Sequence, residues 1–179
     1  IDGVFIIEPK VFNDPRGYFF EAFKQEEFEK NIGNVNFVQD NESKSSYGVL
    51  RGLHYQKGEY SQAKLVRVIK GKVVDVAVDI RKSSPTFGKH VMVELSEDNK
   101  RQLFIPRGFA HGYLTLEDDT LMQWCVDNDF YGTAANAVRY DSEFNWQTNP
   151  WPVMEYILSE KDKSAKSLQE LAQRGLIKP

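Results

Sequence analysis

Three histidines occur in the 179 residues, and the first lies beside an arginine in an otherwise apolar run, Val49-Leu50-Arg51-Gly52-Leu53-His54-Tyr55-Gln56. Histidine is the side chain whose unperturbed pKa lies nearest neutrality, so a half-buried imidazole can take up a proton at physiological pH. The guanidinium of Arg51 can hold a phosphate through two parallel hydrogen bonds. Base and anion clamp therefore stand three positions apart. The competing interpretation is structural: an imidazole filling a core position, and an arginine that meets an acid at a strand end. This run alone leaves both open.

Three other segments carry groups of the same kind. Asn13-Asp14-Pro15-Arg16-Gly17 reads as a turn that delivers Arg16 to the start of a strand, where a surface ion pair is the commoner use of such a residue. Phe104-Ile105-Pro106-Arg107-Gly108-Phe109-Ala110-His111 brings His111 into an apolar strand, which suits a hydrogen-bonded core residue as well as a catalytic one. In Ser159-Glu160-Lys161-Asp162, Asp162 can cap the last helix or orient a histidine. No metal is expected. A barrel site built on two histidines two residues apart would need a second one at Gln56, and His90 and His111 are remote in sequence. Strand alternation instead puts Gln56 on the face of His54, where its amide suits a substrate hydroxyl.

Positioning such groups falls to many short strands. β-branched and aromatic runs recur between turn signals at residues 4–7, 17–20, 35–38, 64–69, 73–79, 91–95, 102–105, 110–116 and 121–126. That spacing predicts an all-β sandwich or barrel. Lys70-Gly71 between two of these runs predicts a hairpin. Helical signal is confined to Lys24–Asn31 and Ser164–Arg174, both peripheral, and one domain over residues 1–179 is expected. With 41% hydrophobic and 27% charged residues the composition is that of a globular protein, and no apolar run reaches the roughly 18 residues that span a bilayer, so no membrane role is expected. A net charge of −3 argues against nucleic-acid binding, so any phosphate must be held by local cations. The lone cysteine, Cys125, excludes an internal disulfide and fits a reducing, cytoplasmic setting. The chain opens on Ile1-Asp2-Gly3-Val4 without methionine, which suggests that N-terminal residues are absent.

Taken in order, Arg16-Gly17-x-Phe19-x-Glu21, Gln39-Asp40-Asn41-x-Ser43, Leu50-Arg51-Gly52-Leu53-His54-x-Gln56, Gln62-Ala63-Lys64-Leu65-Val66, Gly71-x-Val73-x-Asp75-Val76-Ala77-Val78-Asp79-x-Arg81, Ser84-Pro85-Thr86-Phe87-Gly88, Ile105-Pro106-x-Gly108-Phe109-Ala110-His111-Gly112 and Ser159-Glu160-Lys161-Asp162 resemble the dTDP-4-dehydrorhamnose 3,5-epimerase family over nearly the whole chain. The resemblance implies a cupin-type jelly-roll barrel with short peripheral helices. It also implies a homodimer that exchanges N-terminal strands and works without metal or cofactor. The implied substrate is a dTDP-sugar, dTDP-4-dehydro-6-deoxy-D-glucose, inverted at C3 and C5 by proton removal next to the C4 ketone. His54 would be the base, supported by Asp162, and Arg16, Phe19, Glu21, Gln39, Asn41, Arg51, Gln56, Lys64 and His111 would line the pocket.

One segment departs from the family pattern. The family's general-acid tyrosine belongs to a segment resembling Tyr-Lys-x-x-Asn-x-Tyr-x-Pro-x-x-Glu. Ungapped alignment sets Trp124 at that tyrosine, Phe130 at the second one, Gly132 at the proline and Ala135 at the glutamate. An indole cannot supply a proton as a phenol does. Strand alternation turns Tyr131 away from the face of Trp124 unless the chain bulges, which leaves water, Tyr113, Tyr131 or no group as the acid. Two alternatives to inversion at both centres follow: inversion at C3 only, and a binding homologue that has lost turnover.

Overall fold

The computed structural model describes residues 1–142, 151–152 and 154–175. The chain opens with β1 (Phe5–Ile7), β2 (Phe12–Asp14), β3 (Gly17–Phe19) and α1 (Gln25–Asn31). A run of strands follows: β4 (Gln39–Ser45), β5 (Leu50–Gln56), β6 (Lys64–Lys70), β7 (Lys72–Asp79), β8 (His90–Ser96), β9 (Gln102–Ile105), β10 (Phe109–Thr115), β11 (Thr120–Val126) and β12 (Ala135–Ala137). Two short helices, α2 (Glu160–Lys163) and α3 (Leu168–Gln173), come last. No described helix is long and apolar enough to cross a membrane.

The strands form two antiparallel five-stranded sheets, ordered β1-β9-β6-β11-β4 and β12-β5-β10-β7-β8, with β2 and β3 as a separate hairpin. The expected jelly-roll architecture is present. Alternation along the strands sorts side chains into layers. Val66, Val68, Leu103, Ile105 and Met122 of the first sheet meet Val73, Ala77, Val93, Phe109 and Tyr113 of the second between the sheets. The intervening residues of the second sheet, among them Leu53, Val74, Val76 and Leu114, face outward and are covered by Trp151 and by Leu168 and Leu171 of α3. Leu65 and Phe104 on the outer face of the first sheet are covered by Phe28 of α1. With both faces covered, β7 reads as an apolar run broken only by Asp75 before its end.

Three sequence expectations are corrected. Lys70-Gly71 does not close a hairpin: β6 pairs with β9 and β11, whereas β7 pairs with β8 and β10, so the chain crosses there from one sheet to the other. Gly71 (φ 90°) supplies a sharp turn, and a Cβ on it would lie 2.2 Å from the Thr120 Oγ1. A glycine turn signals reversal of the chain but not which sheet receives the next strand. Second, residues 35–38 form no strand; Val35 and Phe37 join the cluster under α1, and the polar segment behind them, Gln39–Ser45, is the strand. Third, the helical signal over 164–174 resolves into α3 alone, because Ser164 ends α2 and Ser167 caps α3 in a reciprocal box with Glu170.

Candidate active site

β5 builds the first wall. Leu50, Leu53 and Tyr55 belong to the outer core, so His54 and Gln56 point between the sheets, and Arg51 and His54 would face opposite ways under strict alternation. The register shows how both reach one side: Tyr113 pairs with Arg51 and His111 with His54, so two steps on β10 match three on β5. The extra residue is a β-bulge at Gly52. Gly52 has φ 119°, and a Cβ there would come within 2.6 Å of the Gly112 Cα and 2.7 Å of the His111 carbonyl. Only glycine lets the two backbones approach this closely.

His54 Nε2 lies 2.8 Å from Asp162 Oδ1, across 108 residues of sequence. The carboxylate is buried while the imidazole is 46% exposed. Asp162 Oδ2 accepts the Gly52 N–H at 3.2 Å, so the same carboxylate fixes both the bulge and the ring. Burial alone raises the Asp162 pKa, but the hydrogen bond and charge of His54, the Gly52 N–H and Ser159 together bring it below the ordinary value. An ionised carboxylate only accepts, so Nε2 carries the hydrogen and Nδ1 is left with its lone pair. That nitrogen is the basic one. The cap of α2 is Ser159, whose side chain accepts the Asp162 N–H, so Asp162 is the orienting residue and not the cap.

The cleft at His54 has a volume of about 700 Å³ and is bounded by Arg51, His54, Gln56 and Asp162 on one side, with Gln39, Asn41, Lys64 and Trp124 on the other. Arg51 donates to Ser45 Oγ and the Lys44 carbonyl and pairs with no carboxylate among the described residues. Lys64 shares the inward face of β6 with Val66 and Val68, and burial pushes its pKa down to about 8 against the pull of Asp75. Asp75, fully buried, receives His111 Nε2 at 2.9 Å on both oxygens. Burial lowers the pKa of His111, with Asp75 opposing the shift. Asp75 is a site residue that the family pattern does not single out; its one sequence signal is a lone carboxylate within the apolar run Val73-Val74-Asp75-Val76-Ala77-Val78.

The remaining expected site residues are either bonded within the fold or placed away from the cleft. His111, paired in register with His54, is buried and turned to Asp75. Gln56 borders the cleft, but its amide is occupied: Nε2 donates to the Tyr60 and Asp129 carbonyls and Oε1 accepts the Tyr131 N–H. Tyr131 follows the end of β11, where alternation no longer applies, and its ring lies 4.5 Å from that of Tyr60 and off the cleft wall. Tyr113 is buried, with its hydroxyl 2.7 Å from Ser43 Oγ, and burial raises its pKa. Arg16 is 90% exposed and paired with Asp14, while Phe19 and Glu21 border a different groove with Phe5, Phe12 and Phe23. Within one chain these three do not meet His54. Among the described residues no group of three or more His, Cys, Asp or Glu side chains is placed to hold a metal ion.

A jelly roll with a carboxylate-supported imidazole on one wall and an ammonium on the other defines a cupin-type isomerase that works by proton transfer. The chain belongs to the dTDP-4-dehydrorhamnose 3,5-epimerase family, whose sequence profile matches residues 1–170. The Shigella flexneri dTDP-4-dehydrorhamnose 3,5-epimerase is 53% identical over 164 residues, 90% of this chain and 89% of that protein. The crystal structure of dTDP-6-deoxy-D-glucose-3,5-epimerase from Legionella pneumophila in complex with dTDP-4-keto-L-rhamnose superposes with a TM-score of 0.91 at 43% identity, covering 99% of this chain and 93% of that one. A 3'-monoepimerase from Streptomyces bikiniensis in complex with dTDP-quinovose superposes equally well, TM-score 0.91 at 29% identity, with 99% and 89% of the chains covered.

Proposed function

We propose that the protein epimerises a dTDP-4-dehydro-6-deoxyhexose at C3 and C5, with His54 as the base. The observation that carries this reading is the 2.8 Å His54–Asp162 contact at the edge of a sugar-nucleotide-sized cleft. A C4 ketone acidifies the neighbouring C–H bonds. His54 Nδ1 takes one of those protons, and the Asp162 carboxylate stabilises the imidazolium that results. Arg51, which meets no carboxylate among the described residues, would hold the diphosphate, and Gln39 and Asn41 offer amides to sugar hydroxyls. Incubation with dTDP-4-dehydro-6-deoxyglucose in deuterated water tests the reading: label should enter at C3 or C5 faster than in protein-free buffer and vanish in His54→Ala.

The second reading, inversion at C3 alone, is favoured by Trp124, which occupies the far wall where a phenol would stand and has no acidic proton. Following both carbons separately by NMR distinguishes the two. We further infer a cytoplasmic homodimer in which the exposed β2–β3 hairpin of each subunit swings over the cleft of the other and brings Arg16, Phe19 and Glu21 to the nucleotide. The exposed aromatic rings of Phe12 and Phe19 support that reading, since a monomer would leave them in water.

A further inference from the structure

We propose that Lys64 delivers the proton to the face of the sugar opposite His54, the duty that Trp124 cannot perform. This inference rests on the epimerase reading above. Inversion needs a donor and an acceptor on opposite sides of the ring, and the cleft lies between two sheets. His54 comes from β5 of the second sheet, so the donor must come from the first. The first-sheet side chains that border the cleft are Gln39 and Asn41 on β4, Lys64 on β6 and Trp124 on β11, with Gln62 and Phe130 just outside the strands. Amide and indole N–H groups are too weakly acidic to give up a proton, and a phenyl ring has none to give. Lys64 is the one acid in that set.

Its surroundings suit the role. Lys64 is 9% exposed, and its ammonium has no hydrogen-bond or ion-pair partner among the described residues, so its N–H bonds are free to aim into the cleft. The charged and titratable groups around it are Asp75 on β7, His111 on β10, and the His54–Asp162 pair on the far wall. The charge of Asp75 opposes the effect of burial on the ammonium, which makes Asp75 a positioning residue. With a pKa of about 8 the ammonium is charged at neutral pH yet releases its proton more readily than an ordinary lysine. The step balances. The C=C electron pair of the enolate forms a C–H bond to a proton leaving Nζ, the C4–O⁻ becomes C4=O, and Lys64 is left as a neutral amine. His54 holds the proton first removed, and exchange with water resets both groups after product leaves.

The test compares Lys64→Arg, Lys64→Met and Lys64→Met combined with Trp124→Tyr, each following deuterium entry and inversion separately in deuterated water. Arginine keeps the positive charge but does not release its proton. Lys64→Arg should therefore still exchange label with retained configuration, as His54 removes and returns hydrogen on one face, while inversion falls by about 10²-fold or more. Adding Trp124→Tyr to Lys64→Met should restore inversion, which a misfolded variant could not do. In the native protein, inversion should decline as pH rises through about 8 while retained-configuration exchange does not. Native-rate inversion in Lys64→Arg, or a parallel loss of exchange and inversion that Trp124→Tyr fails to rescue, overturns this assignment alone. No label in the native protein overturns the epimerase reading and this inference together.

Discussion

Replacing Asp162 with Asn probes the one contact on which the proposed chemistry depends. The carboxylate uses Oδ1 for His54 Nε2 and Oδ2 for the Gly52 N–H. An amide has a single acceptor oxygen, so it must give up one of the two. If the oxygen stays on Gly52, the NH₂ group faces Nε2, which must then accept. The ring hydrogen moves to Nδ1, and the nitrogen facing the cleft is no longer a base. If the oxygen turns to His54, the Gly52 N–H loses its partner at the bulge. Even then the charge that stabilises the imidazolium is gone. A hydrogen bond to a charged group contributes about 1.5–3 kcal/mol, which at 1.36 kcal/mol per tenfold corresponds to roughly a 10- to 150-fold slower deuterium exchange, with the tautomer change adding to it. Single-turnover exchange measured by NMR under saturating substrate reads this directly. Exchange within twofold of native would refute the assignment of Asp162 as the support of the base.

Three other outcomes are expected. Gly52→Ala forces a Cβ to within 2.6 Å of the Gly112 Cα at φ 119°; overpacking of about 1–3 kcal/mol and backbone strain of similar size should lower the melting temperature by roughly 4–24 °C, and a calorimetric scan matching the native one would show the bulge to be more tolerant than described. Burial works to raise the pKa of Asp79, but Arg81, Ser84 and Thr86 outweigh it and hold it at about 2, below the ordinary 3.8. The folded state thus binds fewer protons, so this group stabilises above about pH 4 and the gain, on the order of 2 kcal/mol, is lost as pH falls from about 4 towards 2; Asp79→Asn should flatten that acid limb in urea midpoints, and an unchanged limb would count against it. Arg16→Ala should raise KM about 10-fold or more with little change in kcat if the partner's hairpin brings Arg16 to a phosphate, whereas unchanged kinetics would leave Arg16 as no more than the ion-pair partner of Asp14.

Much of the barrel is legible in the sequence because its walls are built from β-branched runs, and β6 to β11 fall within a residue or two of where those runs stand. β4 is illegible for the opposite reason: Gln39–Ser45 is polar on both faces, one turned to the cleft and the other to water, so no apolar alternation marks it. Local signals also do not report which sheet a strand joins, hence the mistaken hairpin at Gly71. At the site, His54 stands out by residue type, but Asp162 carries two readings until the fold closes the 108-residue gap between them. Strand alternation puts Gln56 on the face of His54, yet what its amide bonds to depends on the irregular 129–131 segment, which no periodicity describes.

The crossing at Gly71 has a consequence for how the molecule assembles. One sheet takes β1, β4, β6, β9 and β11 and the other β5, β7, β8, β10 and β12, so both are drawn from the length of the chain. During synthesis neither sheet can be completed until the other is nearly so, since the first awaits residue 126 and the second residue 137. Few contacts are local, and the entropy of closing long loops must be met before pairing compensates for it. Folding in milliseconds to seconds, with no independently stable half, is the behaviour such interleaving dictates. Fragments split anywhere between β5 and β10 should remain unstructured apart and regain β signal only when mixed.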